Sequence, residues 1–545
     1  MQDNNTLEGS IQDTGKGKTE KRNKKKKLLT WRSWHKWVGM VFSIFIMVFC
    51  FSGIVLNHRQ LFSGCEVSRW WLPEAYHVSN WNQSIVKGTQ KIHIYNKERL
   101  MAYGQAGLWL TDSLFHDWQD FNNGITEGID NRKISGAVQT ADGTLMCAGL
   151  YDAYVFSAND SCWQKLSLPG NEERISDIAV RGGDTVVIIT RSSIYEAAAP
   201  HYSFIERPVH TPKNYDSKTT LFKTVWTLHS GELFGIPGKL VVDAMAVVII
   251  ILCLTGIIFF ILSYSIKYTN KRKKQAAADD VESFKAKVKR QAGWMKWNLK
   301  WHNRFGSGLI ILTLLLSVTG MCLRPPLMVP LVMTHHSPIP GTTQSNDNVF
   351  HDKLRAIRWD DSLKVWLLST SEGFFRLDGN LQKAVPVKIE EAPGVSPMGV
   401  NVFCRNPKAS SEWLVGSFSG LFSWNPATGQ ITDWFTGAPP VASHGMPLGT
   451  HTVTGFTSDL ACTKGVPAVF EYSSDPNVKM PEMPEILKQQ PMSLWNFALE
   501  LHVGRCYEPF LGSIVSVLFV FISGLLLTLV LVSGYIIYRR SHKKR

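Results

Sequence analysis

Four runs of apolar residues stand out along the chain, at about 37–57, 240–263, 305–323 and 510–538. Crossing a hydrocarbon core of about 30 Å takes about 20 helical residues, so the pattern predicts four membrane spans. The fourth run is longer than needed and is expected to tilt, kink at Gly524 or protrude. The first follows a long basic leader, and no Ala-x-Ala site comes after it. It therefore reads as a signal anchor and not as a cleaved signal peptide. The stretches between, 58–239 and 324–509, have a different rhythm: short apolar strands punctuated by Gly, Asn, Asp and Pro. The clearest unit is SEWLVGSFSGLFSWNPATGQITDW at 411–434, with similar units at 100–118, 137–157 and 365–380. Their spacing of roughly 35–45 residues is that of propeller blades, about three to a segment. One shared ring, two separate sheets or a pair of plain sandwiches all stay open at this point.

Charge gives the orientation. The chain has 58 Lys and Arg against 44 Asp and Glu, a formal charge of +14. Of those 58, 27 fall in residues 1–36, 264–304 and 539–545, where only seven acids accompany them. Basic residues flanking spans stay in the cytoplasm. That makes 1–36 and 539–545 cytoplasmic tails and 264–304 a cytoplasmic loop, with 58–239 and 324–509 on the periplasmic side. Nucleic acid is the other partner a basic chain suggests, but this charge sits beside spans, where topology accounts for it. An aromatic share of 11% excludes a disordered chain. Nine cysteines in 545 residues exclude a disulfide scaffold. Cys147 with Cys162 is a candidate bridge between adjacent strands.

The two halves match one another. Trp34-His35, Gly39 and Ser52-Gly53 recur 267 residues on as Trp301-His302, Gly306 and Thr319-Gly320. Leu228-His229-x-Gly231 recurs as Leu501-His502-x-Gly504, and Thr255-Gly256 and Ser533-Gly534 follow in the spans behind them. The expected fold class is therefore an α + β membrane protein: a four-helix transmembrane bundle from a duplicated two-span unit, with two β-rich, propeller-like periplasmic segments. Gly39 and Gly53 lie 4 and 18 residues beyond His35, on one helical stripe. Such a stripe suits either close approach of something flat or ordinary helix packing.

The spans carry few ionisable groups, and the histidines near their ends cluster by side: His35 and His302 inside, His58, His229 and His502 outside. Imidazole is a usual axial ligand of haem iron, and equivalent helices of a doubled unit supply ligands in pairs. His35 with His302 would hold an inner haem, and His229 with His502 an outer one. Against this, His35 stands in a tryptophan cluster of the kind that lines membrane interfaces. Arg59, Arg324 and Arg505, at the outer ends of three spans, could pair with haem propionates or snorkel to headgroups. Cys-x-x-Cys and His-Glu-x-x-His are absent, so the common zinc sites are not expected. His335-His336 reads as a solvated pair in a Pro-rich loop.

The WHKWVG…SG and LHxG…TG pattern, used twice around large outer segments, resembles the PepSY-associated transmembrane family of bacterial inner membranes. Its members include siderophore reductases that carry haem b in their helices. The resemblance covers the four spans and their flanks. It implies haem ligands at His35, His229, His302 and His502, with His58 as a further candidate. The implied activity is reduction of a ferric siderophore or other ferric chelate in the periplasm during iron uptake, with a quinone or a cytoplasmic donor supplying electrons to two haems b. The outer segments depart from the family, since no PepSY module is evident in them. The alternative from another class is a haem-free, membrane-anchored sensor or scaffold whose β-domains bind a ligand.

Overall fold

The computed structural model describes residues 5–542 except 79–80, 82–84, 113, 171, 276, 278–279, 395–398, 407–408, 418–419 and 441–480, with side chains from residue 30 onward. The chain divides into two compact units. One consists of Met1–Arg59, Lys218–Ser345 and Ala498–Arg545; the other of Gln60–Ser217 and Asn346–Phe497.

The first unit is helical. Its main helices are α1 (Asn5–Asn57), α2 (Leu221–Ser230), α3 (Gly235–Lys273), α4 (Val281–Gly308), α5 (Ile310–Cys322), the last turns of α6 (Leu494–His502) and α7 (Ser513–His542). Three helices, α1 over Thr30–Asn57, α3 and α7, are long and apolar enough to cross a membrane, or four if α4 and α5 count as one bent span. They are apolar outside as well as inside: Ile44, Ile258, Ile311 and Ile514 are exposed. Helices with no polar face belong in lipid, and the chain is a membrane protein with large extramembrane β-segments. Ile46 and Cys50 of α1 bury against Ala246 and Ile249 of α3, with Leu316 of α5 and Leu527 of α7 packed alongside.

The third run departs from a straight span over 305–323. It bends by 67° between α4 and α5. The bend follows Gly306-Ser307-Gly308, where the Ser307 hydroxyl donates to the Asn303 carbonyl at 2.7 Å. Gly/Ser pairs and back-bonding serines are common causes of kinks. The fourth run shows the opposite. α7 runs unbroken through Gly524, which is there for close approach: a Cβ at Gly524 would sit 2.9 Å from Met321 Cβ. Ser317 of α5 donates to the Gly524 carbonyl at 3.1 Å.

The second unit is built of four-stranded antiparallel sheets, each a simple meander. Sheet I runs Val86–Ile94, Lys97–Gly104, Gly107–Thr111, Trp118–Asp120. Sheet II runs Gly136–Gln139, Leu145–Ala148, Ala153–Ser157, Cys162–Leu166. Sheet III runs Ile175–Arg181, Thr185–Thr190, Ile194–Ala198, Ile205–Arg207. Sheet IV runs Leu354–Asp360, Val365–Thr370, Gly373–Asp378, Val387–Lys388. Sheet V runs Val402–Asn406, Ala409–Ser417, Gly420–Trp424, Ile431–Asp433.

The first strands of consecutive sheets adjoin in chain order, I to V, which is the arrangement of blades around a propeller axis. Sheet III of the first segment meets sheet IV of the second, so the two segments form one row of blades. Apolar clusters fill the spaces between sheets, for example Val187 and Ile189 of sheet III against Ile357 and Leu368 of sheet IV. The two-residue strands Glu66–Val67 and Met492–Ser493 pair near the ends of the unit's two chain segments.

The bridge anticipated between Cys147 and Cys162 is absent; both are free. They stand on the second and fourth strands of sheet II, with Ala153–Ser157 between them.

Candidate functional site

The helical unit gathers four histidines into two pairs. His35 of α1 and His302 of α4 have ring centroids 6.2 Å apart at 79°. His229 of α2 and His502 of α6 are likewise 6.2 Å apart, at 55°. The LHxG motif explains how the second pair is presented. α2 is capped by Thr220, whose side chain accepts from the Lys223 amide, and ends at Gly231 with φ +81°. Gly504 after His502 has φ +82°. A left-handed residue closes a helix and favours glycine. Each histidine thus sits in the last turn of a short helix lying just before a long one. At Gly231 a Cβ would also strike the Gly238 carbonyl.

Each ring is held by a hydroxyl-glycine pair on another helix. His35 Nδ1 is 3.1 Å from Ser533 Oγ and 3.0 Å from the Val530 carbonyl. His302 Nδ1 is 2.9 Å from Thr255 Oγ1, and His229 Nδ1 is 3.0 Å from Thr319 Oγ1. His502 Nδ1 is 3.0 Å from Ser52 Oγ and 3.1 Å from the Phe49 carbonyl.

These contacts fix the tautomer. Each hydroxyl has a single hydrogen, and each donates it to a carbonyl of its own helix. Ser52 gives it to Val48, Thr255 to Ile251, Thr319 to Leu315 and Ser533 to Val530, at 2.7–2.8 Å. The oxygen can then only accept from imidazole. Carbonyl oxygens, which contact two of the rings, can also only accept. Nδ1 therefore carries a proton on all four rings, and on a neutral ring Nε2 keeps a bare lone pair. Among the described residues no hydrogen-bond partner meets any of these four Nε2 atoms.

At Gly320 and Gly534 the glycine makes room for the ring. A Cβ at Gly320 would lie 2.8 Å from His229 Cε1, and one at Gly534 2.8 Å from His35 Cε1. The same atom at Gly53 would lie 3.4 Å from His502 Cε1, and at Gly256 3.8 Å from His302 Cε1. Gly39 and Gly306, on the same stripes, face Val530 and Leu252 and serve helix packing.

When neutral, two imidazoles anchored at Nδ1 can each offer Nε2 to a metal, their second nitrogen oriented as ligating histidines require. Metal–nitrogen bonds of about 2.0 Å on opposite sides of one ion place the ring centres roughly 6 Å apart. Among the described residues no cluster of three or more His, Cys, Asp or Glu is arranged to hold an ion. A pair of histidines completes a coordination sphere only if other donors supply the equator, as a porphyrin does.

The remaining candidates stand elsewhere. His58 is not brought to another histidine: its Nε2 lies 2.7 Å from Asp243 Oδ2, and Asn57 donates to Oδ1 of the same carboxylate at 3.1 Å. Asp243, on α3, is the ionisable group the sequence reading passed over, being a lone acid at the edge of an apolar run. Arg505 forks onto Glu500. Arg59 is buried. Arg324 has a buried Nε with no hydrogen-bond partner among the described residues. His336 is not simply solvated, since its Nε2 is 2.6 Å from Thr224 Oγ1.

Comparison with protein families gives one match, made twice. The model of the PepSY-associated TM region covers residues 11–262 and again 266–541. The chain belongs to this family. No curated protein matches it. Among solved structures, this PepSY-associated protein is similar to the extracellular domain of a candidate hybrid two component system from B. thetaiotaomicron, at 11% identity and a TM-score of 0.31. The match covers 68% of this chain and 29% of that one. A candidate one component system from the same organism gives 10% identity and a TM-score of 0.29, over 64% and 28% of the two chains. The PepSY-associated chain thus spans under a third of the length of either.

The hydroxyl of the Ser/Thr-Gly pairs is the ring-holding element the sequence reading missed. The signal was present, because a hydroxyl precedes glycine in every one of the four spans.

Proposed function

We propose that this PepSY-associated protein is a haem b electron conduit of a bacterial inner membrane, reducing ferric iron, as a siderophore complex or another ferric chelate, on the periplasmic side. His35 with His302 would hold an inner haem and His229 with His502 an outer one, within a four-helix bundle made of a duplicated two-span unit. The observation that carries the reading is the matched geometry of the two pairs: equal centroid separations of 6.2 Å, with all four Nε2 lone pairs free. The double match of the family model supports the duplication. Clustering of basic residues in 1–36, 264–304 and 539–545 supports cytoplasmic termini and outward β-sheets.

Haem bound in this way supplies reversible one-electron chemistry. The chain's own part is structural and electrostatic. Ser52, Thr255, Thr319 and Ser533 set the tautomer and orient the rings. Gly320 and Gly534 let the His229 and His35 rings lie against the partner helix. Apolar side chains such as Ile46 and Ile249 keep water out of the bundle. No dinucleotide-binding strand-and-glycine motif is present in the sequence, so electrons come from a separate quinone or cytoplasmic donor.

The test is the optical spectrum of full-length protein purified from haem-supplied cells. Sharp ferrous haem bands, about half of them lost in His35→Ala or His302→Ala and the other half in His229→Ala or His502→Ala, are expected. A colourless preparation would overturn the reading and leave a haem-free sensor or scaffold.

A further inference from the structure

The inner strands of the β-unit carry a second cluster of charges, separate from the histidine pairs. Lys87 stands on the first strand of sheet I, Asp177 on that of sheet III and Arg358 on that of sheet IV. Lys87 Nζ donates to the Ser135 carbonyl, just before sheet II, at 2.7 Å. Arg358 Nη1 donates to Asp177 Oδ2 at 2.5 Å, and its Nε to the Phe403 carbonyl of sheet V at 2.8 Å. The polar contacts of these three residues therefore reach the first strands, or their approaches, of all five described sheets. Gly136 adjoins Asp177, for a Cβ there would lie 2.9 Å from its Oδ1.

The cluster does not balance. Asp177 accepts from the Ile178 amide on Oδ1 and from the Ile357 amide and Arg358 on Oδ2. Its one negative charge faces two cations. Lys87 uses one N–H of three, and among the described residues neither N–H of Arg358 Nη2 has an acceptor. Solvent reaches the cations but not the acid: the Arg358 side chain is 22% exposed and Asp177 1%. Burial pushes the Lys87 ammonium below its ordinary range, Asp177 opposing the shift and Arg358 adding to it. Among the described residues, two N–H groups of Lys87 and both N–H groups of Arg358 Nη2 are therefore open to an anion arriving from solvent.

We infer that the first strands of the propeller-like unit form a binding site for a small carboxylate anion, held by Lys87 and the free edge of the Arg358 guanidinium. Guanidinium and ammonium groups bind both carboxylates and phosphates. A surplus of one positive charge matches a carboxylate, whereas phosphate at neutral pH carries about −1.5 to −2. The site does not depend on the haem reading.

Calorimetry on the purified full-length protein with the monocarboxylates formate, acetate and lactate, and with inorganic phosphate for comparison, tests it. Saturable carboxylate binding is expected, weakened about tenfold or more in Lys87→Met and retained in Lys87→Arg. Arg358→Lys keeps the charge but loses the fork and should weaken binding as well; circular dichroism and melting confirm that each variant is folded. Absence of carboxylate binding, binding unchanged in folded Lys87→Met, or tighter binding of phosphate than of any carboxylate would each overturn the assignment.

Discussion

An imidazole that must present one bare nitrogen needs its other nitrogen occupied, and in this chain a hydroxyl already engaged with its own helix does that. Thr319→Val keeps the shape and removes the acceptor. Loss of such an outer contact typically costs about 10–100-fold in metal affinity, so the variant should retain haem at the outer pair that much more weakly while the inner pair is unchanged. Haem titration followed optically checks this, with Thr255→Val as the mirror case for the inner pair. The glycines give a graded series. Gly320→Ala and Gly534→Ala place a methyl 2.8 Å from a ring carbon and should displace His229 and His35 respectively. Gly256→Ala, at 3.8 Å, makes only ordinary contact and should keep its site. Equal losses in all three would show that the glycines act through helix packing alone.

Among the elements, the long helices were legible in the sequence because lipid demands an unbroken apolar run, and the short ones before α3 and α7 were legible only as a repeated LHxG. Hydrophobicity does not report where a helix bends. Gly524 invited a kink and instead brings α7 against Met321, whereas Gly306-Ser307-Gly308 ends α4 in a 67° turn. The difference lies in tertiary contact, which a single run of residues cannot display. Gly524→Ala should overpack the α5–α7 contact and cost about 1–3 kcal/mol, read as a lowered melting temperature in detergent with the haem spectrum intact. The Cys147–Cys162 expectation failed for a related reason: neighbours in sequence were taken for neighbours in the sheet, and an intervening strand separates them. Asp243 and His58 meet only because α1 and α3 pack side by side, which no local pattern announces.

For the whole molecule, orientation is the property most open to a direct check. Cys65 is exposed on the β-unit, and Lys287 on the basic loop is exposed as well. A membrane-impermeant maleimide should label Cys65 in cells whose outer membrane alone is permeabilised. It should reach Lys287→Cys only after the inner membrane is opened, and the reverse pattern would invert the topology. The blade rhythm of the outer segments was readable from strand spacing, but the joining of sheet III to sheet IV was not, since it depends on residues about 180 positions apart such as Asp177 and Arg358.

Ring and cradle never come from the same side of residue 264. His35 leans on Ser533 and His502 on Ser52; His229 leans on Thr319 and His302 on Thr255. Severed into two polypeptides there, neither fragment could assemble a centre by itself, and both centres should return together when the fragments are co-expressed. By the same logic, a free-standing single repeat could have worked only as a twofold dimer, each copy lending its partner the support it could not give itself.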